Sequence, residues 1–295
     1  MDRRILMVAV ALFLLLVASV TDASRSHPWS QEVDQKLGAT ANDTNFIGAL
    51  ISHISPNGGS GSDPTYLAYH GAEASASPNG YYGFVATLDV YGFSLRHGQG
   101  TAGSVWVANS GDGTQASAKT IIIGWNNDGF IKTGCLNTKC HGFQPEKGAA
   151  IAPGDAIEHV STPKGAKQYL NLKIVKDGGA SGDWLVHVGL NRDPQLIGRF
   201  PRSLFTGDLA DKAAAIRFGG MVTAPVADPA PMGSGYLPGD TSSAASVGNI
   251  QLIDADGRAS PVTKDLPKLE SKPEAYAVSP IDNGSFFYGG PHGAN

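Results

Sequence analysis

The chain has 295 residues, 41% hydrophobic and 16% charged, with a formal net charge of −4 and a pI near 6.0, the profile of an ordinary folded protein. The longest basic cluster is Arg3-Arg4, so a nucleic-acid partner has no electrostatic footing. Its 38 glycines and 18 prolines follow no G-X-Y period; they exclude collagen and fit many short strands joined by tight turns.

In chain order, residues 1–23 come first and read as a secretory signal peptide. Arg3 and Arg4 form the basic start, Ile5 to Val20 the apolar run, and Thr21-Asp22-Ala23 a small-residue cleavage region. The run is shorter than the roughly 20 residues of a membrane span, and no later segment is long and apolar enough, so no membrane partner is expected. Residues 24–65 are polar and Gly/Ser-rich and read as an N-terminal extension and linker. The domain proper is expected over 66–295.

Period-two alternation predicts strands in that domain. Phe84, Ala86, Leu88 and Val90 share one face, with Thr87 and Asp89 on the other. Leu170, Leu172 and Ile174 alternate with Asn171 and Lys173. Trp184, Val186, Val188 and Leu190 line one face, with His187 opposite. Such half-buried strands belong to antiparallel sheets, and the expected class is an all-β sandwich of two antiparallel sheets. One short helix is expected over Asp208–Ile216, capped by Asp208 and favoured by its alanines.

Several motifs carry little chemistry. Gly98 to Gly103 fits G-x-G-x-x-G, but a strand-like SVWVA follows where a dinucleotide site needs a helix. No histidine lies in a triad or H-E-x-x-H context. His141, Asp128 and Asp183 sit among turn glycines and read as turn residues. No cofactor is expected. Cys135 and Cys140, the only cysteines, are expected to form a disulfide in an exported protein. Closing so short a loop stabilises by roughly 2 kcal/mol. No metal is expected, since His141 beside this pair falls short of four zinc ligands. Asn42 and Asn283 head glycosylation acceptor sequences.

An ordered set of segments resembles the plant neprosin family. These are YYGFVATLDVYGF at 81–93, SVWVANSGDG at 104–113, TIIIGW at 120–125, TGCLNTKCHGF at 133–143, DWLVHVG at 183–189, IGRFPRSLFTGDLADKAAAIRFGGMV at 197–222, APMGSGYLP at 230–238 and FFYGGPHGAN at 286–295. The resemblance implies an exported β-sandwich, in the apoplast or the vacuole, related to glutamic endopeptidases that cut next to proline. One ionised carboxylate would activate water and a protonated one would stabilise the oxyanion. The same alignment places Ile122 and Met221 at the two catalytic positions. Hydrocarbon and thioether groups move no protons, so no catalytic residue of that kind is expected here. The family's C-terminal cysteine pair is also missing, with Ala275 near the first position. Asp112, Asp128 and Glu146 are the nearest spare carboxylates, none at a catalytic position.

The reading is therefore a secreted, catalytically inactive binding protein for a proline-rich peptide or cell-wall polymer. Its groove candidates are Thr120, Ile122, Trp125, Arg217 and Met221, with Trp106, Tyr81 and Phe200 as further aromatic candidates for an extended-chain platform. Two alternatives stand beside it: an active prolyl endopeptidase using other residues, and a carbohydrate-binding or structural sandwich.

Overall fold

The structure is a computed structural model and describes residues 10–16, 63–73, 77, 79–96, 98–109, 120–127, 142–153, 155–205 and 207–291. Its strands are β1 (Val10–Leu16), β2 (Thr65–Glu73), β3 (Gly83–Asp89), β4 (Gly100–Ala108), β5 (Thr120–Asn127), β6 (Gln144–Pro145), β7 (Ala156–Ile157), β8 (Tyr169–Lys176) and β9 (Trp184–Leu190). They continue with β10 (Gln195–Phe200), β11 (Ala215–Thr223), β12 (Met232–Gly233), β13 (Ala245–Ile253), β14 (Ala259–Pro261), β15 (Lys268–Glu270), β16 (Ala277–Val278) and β17 (Phe286–Gly290). The smaller sheet runs β15-β2-β11-β4-β5-β1-β7. The larger runs β12-β17-β13-β3-β8-β9-β10-β6, with β14 beside β13 and β16 beside β17. The protein is an all-β sandwich of two antiparallel sheets.

Alternating residues of both sheets build the core between them. Phe84, Leu88, Leu172, Ile174, Val186 and Trp184 face Val105, Ile121, Ile123, Phe218 and Val222 in one buried cluster. Each such side chain contributes about 1.5–3 kcal/mol when removed from water. Phe84 meets Phe218 edge-on at 5.7 Å, and His70 meets Phe286 at 4.8 Å, so aromatic pairs stitch β3 to β11 and β2 to β17.

The expected alternation in β3, β8 and β9 is present, except that Leu190 is half-buried. Asp89 departs from it in another way. Rather than facing water, it is 1% exposed. It accepts hydrogen bonds from Lys167 Nζ at 2.7 Å and the Ser246 amide at 3.0 Å, a charge admitted to the interior because it is paired.

The helix expected over Asp208–Ile216 does not form. Gly207–Ala210 makes one 3-10 turn, and Ala215 already begins β11. The local preference of three alanines amounts to tenths of a kcal/mol per residue. Against it, β11 gains ladders on both edges, pairing with β2 and β4 over all nine of its residues. Tertiary pairing wins. The only other helical turn among the described residues is the 3-10 turn Arg202–Leu204. Gly98–Gly103 leads into β4 rather than into a helix.

The apolar N-terminal run contributes β1, which pairs antiparallel with β5 from Ala11↔Asn126 to Leu16↔Ile121 and touches β7 at Val10 and Ala11. Cys135, Cys140, His141, Asn42, Asp112 and Asp128 lie outside the described residues. Asn283 lies within them, exposed at a turn with φ 46.

Candidate functional site

The outer face of the smaller sheet, turned away from the larger one, holds the positions singled out by sequence. In β5 the residues Ile121, Ile123 and Trp125 point into the core, so Thr120, Ile122, Gly124 and Asn126 point outward. In β11, Ile216, Phe218 and Val222 belong to the core, leaving Arg217, Gly219, Met221 and Thr223 outward. The same alternation turns Ala102, Ser104 and Trp106 of β4 outward, with Leu67, Tyr69, Gly71 and Glu73 of β2.

The strand register arranges these side chains in rows across the sheet. Ile122, Trp106, Arg217 and Gly71 are consecutive partners and form one wall. Asn126, Ala102, Met221 and Leu67 form the opposite wall. Between them lies the row Gly124, Ser104, Gly219 and Tyr69. Two glycines and a serine make a low floor, so the face is a trough running across the strands. Its walls stand four residues apart along each strand, about 13 Å at the rise of a β-strand. Ile122 and Met221 occupy opposite walls, on β5 and β11, diagonally across the floor.

The glycines are required by backbone as much as by space. A Cβ on Gly124 would lie 2.1 Å from the Gly103 carbonyl oxygen, and one on Gly219 would lie 2.2 Å from that of Ala68. The floor hydroxyl is distinctive. Ser104 is 0% exposed and its Oγ has no hydrogen-bond partner. An unsatisfied buried hydroxyl costs about 1–3 kcal/mol, so the floor retains a polar group that the fold itself does not use.

One end of the trough is aromatic and cationic. The Tyr69 and Trp106 rings are 5.9 Å apart, and the Arg217 guanidinium lies 5.8 Å from the Tyr69 ring centre. Arg217 Nε and Nη2 donate to the two carboxylate oxygens of Glu73 at 3.0 and 3.2 Å, a bidentate pair. Glu73 is the only carboxylate carried by β2, β4, β5 and β11, and Arg217 holds it.

The predicted residues therefore divide. Thr120, Ile122, Arg217 and Met221 share the outer face, each no more than 5% exposed in the full chain. Trp125 is not a groove residue. It is buried in the core, where its Nε1 donates to the Asp89 carbonyl oxygen at 2.8 Å. Tyr81 and Phe200 are core residues too, and Trp106 alone of those aromatics reaches the trough. Asp183 accepts from the Arg202 amide at 2.9 Å, a turn contact on the other sheet. Glu146 pairs with Arg199 at 3.5 Å, again away from the trough. Ser104, Tyr69, Leu67 and the two floor glycines were missed by sequence. Gly124 and Gly219 sit two residues from Ile122 and Met221, hence on their face, and that spacing was the available signal.

The profile of one protein family, neprosin, matches residues 112–291, more than half of the chain. The chain belongs to the neprosin family. That peptidase-like family supplies the context for the trough: the matched neprosin region contains β5 and β11, the two strands that carry Ile122 and Met221. Among the described residues, no cluster of three or more His, Cys, Asp or Glu could hold a metal ion.

Proposed function

We propose that this chain is an exported member of the neprosin family that holds an extended peptide in the trough and does not hydrolyse it through paired glutamates. The observation that carries the reading is the residue content of the two walls. Water activation needs a carboxylate on each side of the scissile bond, and the family positions carry Ile122 and Met221. General acid–base participation is worth about 10²–10⁴ in rate, so loss of both groups removes that route. Glu73 does not substitute, being at the β2 end of the face and paired with Arg217.

What remains suits binding. The floor hydroxyl of Ser104 supplies a polar anchor, Tyr69 and Trp106 supply flat apolar contact and Met221 a thioether for a chain with few donors, such as a proline-rich one. All four are no more than 6% exposed in the full chain, so binding requires part of that cover to move. The seat of action is the extracellular space reached after removal of residues 1–23, with Asn283 exposed for a glycan.

The test is fluorescence anisotropy of a labelled proline-rich peptide with protein purified from the medium of a eukaryotic host. Saturable binding is expected, weakened about tenfold by Trp106→Ala, with a melting curve confirming that the variant folds. Absence of peptide binding contradicts the peptide reading, and binding of a wall glycan in its place transfers the trough to a polymer ligand.

A further inference from the structure

The strand at the edge of the trough, β5, has the wrong composition for an exposed edge. Edge strands are ordinarily blunted by lysines, prolines, bulges or short length. β5 is TIIIGWNN: eight residues, no charge, no proline, and paired with β4 over all of them without a register shift. Its other edge is taken by β1, the apolar segment VALFLLL, through six consecutive register pairs. Beyond β1 stands β7, paired to it at Val10↔Ile157 and Ala11↔Ala156. β7 pairs with no other strand among the described residues, and what holds it besides β1 is Ile157, a member of the sandwich core cluster.

We propose that removal of residues 1–23 opens a slot one strand wide between β5 and β7, and that this slot takes an extended apolar peptide by strand addition. The inference rests on the exported reading above but not on the trough or its ligand. Two neighbouring strand spacings separate β5 from β7, roughly 9–10 Å, which admits a single extended chain bonded along β5 and, over two residues, to β7. Along β5, the backbone N–H and C=O groups that β1 had paired are left for the incoming strand.

The slot also selects against a second copy of this chain. The β5 strand of another copy would arrive with its own β4 bonded to its far edge, and β4 would fall where β7 stands. The occupant is therefore one strand with both edges free, apolar like VALFLLL, running antiparallel to β5. It carries no requirement for proline. Proline removes the backbone donor that such pairing uses.

The experiment uses the protein exported by a eukaryotic host, whose intact mass fixes its first residue. A fluorescein-labelled peptide of residues 10–16 flanked by lysines is titrated in, beside the same peptide carrying Leu14→Pro. A chain beginning after residue 23 is expected to bind the first peptide saturably and the second at least about tenfold more weakly. No binding by that chain, or equal binding of both peptides, overturns the proposal. So does an intact mass that retains Val10–Leu16, because the slot is then filled. A failed trough assay with proline-rich peptide leaves these outcomes unchanged, so the two readings fall separately.

Discussion

At Lys176 the ammonium is buried without a hydrogen-bond partner, 5.0 Å from the centre of the Trp184 ring. Burial lowers its pKa to about 8, with Arg202 lowering it further and Asp211, Asp183 and Asp177 opposing. The unfolded chain keeps the ordinary value near 10.4. Below about pH 8 both states hold the proton, and the folded state carries the whole desolvation cost. Between about 8 and 10.4 the unfolded chain binds the proton that the folded one has released, so stability rises with pH. Lys176→Met keeps the packing on Trp184 and removes the charge. Thermal melts should show the variant about 2–4 °C more stable at pH 7, with the gap closing towards pH 10.5. A gap that widens with pH contradicts the sign. Period two puts Lys176 on the face of Leu172 and Ile174, at the end of β8, where its stem packs on Trp184.

Among elements, β11 is where local preference and tertiary structure disagree most. Its alanine-rich approach reads as helix, yet every residue of the strand is buried. With every residue of β11 buried, its burial does not alternate, and only the polar Arg217 and Thr223 mark the face of Met221; β2, buried along most of its length, gives as little to read. The half-solvated β8 was legible for the opposite reason: Leu170, Leu172 and Ile174 are buried while Asn171 and Lys173 are not. Trp125 exposes a related limit. Sequence made it a groove candidate, whereas Ile121, Ile123 and Trp125 form the core face of β5, so the face of Ile122 carries the trough. Gly219 joins β11 to β2 at the closest approach of the floor, where an added Cβ meets backbone rather than a movable side chain. Gly219→Ala should therefore cost about 3 kcal/mol or more, read as a lower denaturation midpoint with the slope nearly unchanged. A near-neutral effect would mean the β2–β11 ladder is looser than its register implies.

For the molecule as a whole, one sandwich carries the two separate places proposed to bind, a trough across the strands and the edge of β5 that β1 occupies. The all-β class and the family were readable from ordered motifs, because alternation and turn glycines survive in a single sequence. The trough was not, since it depends on which residues of β5, β4, β11 and β2 become register partners. Ile122 and Met221 entered as positions set by the resemblance, and their separation by a low Ser104 floor came only from the ladders. We propose that this trough, with no carboxylate on either wall, activates no water. The most direct measurement is mass spectrometry of proline-containing peptides after prolonged incubation with the purified exported protein from pH 3 to pH 7. Peptides recovered intact at every pH agree with the claim. Enzyme-dependent cleavage beside proline that disappears on substitution of an acidic residue contradicts it.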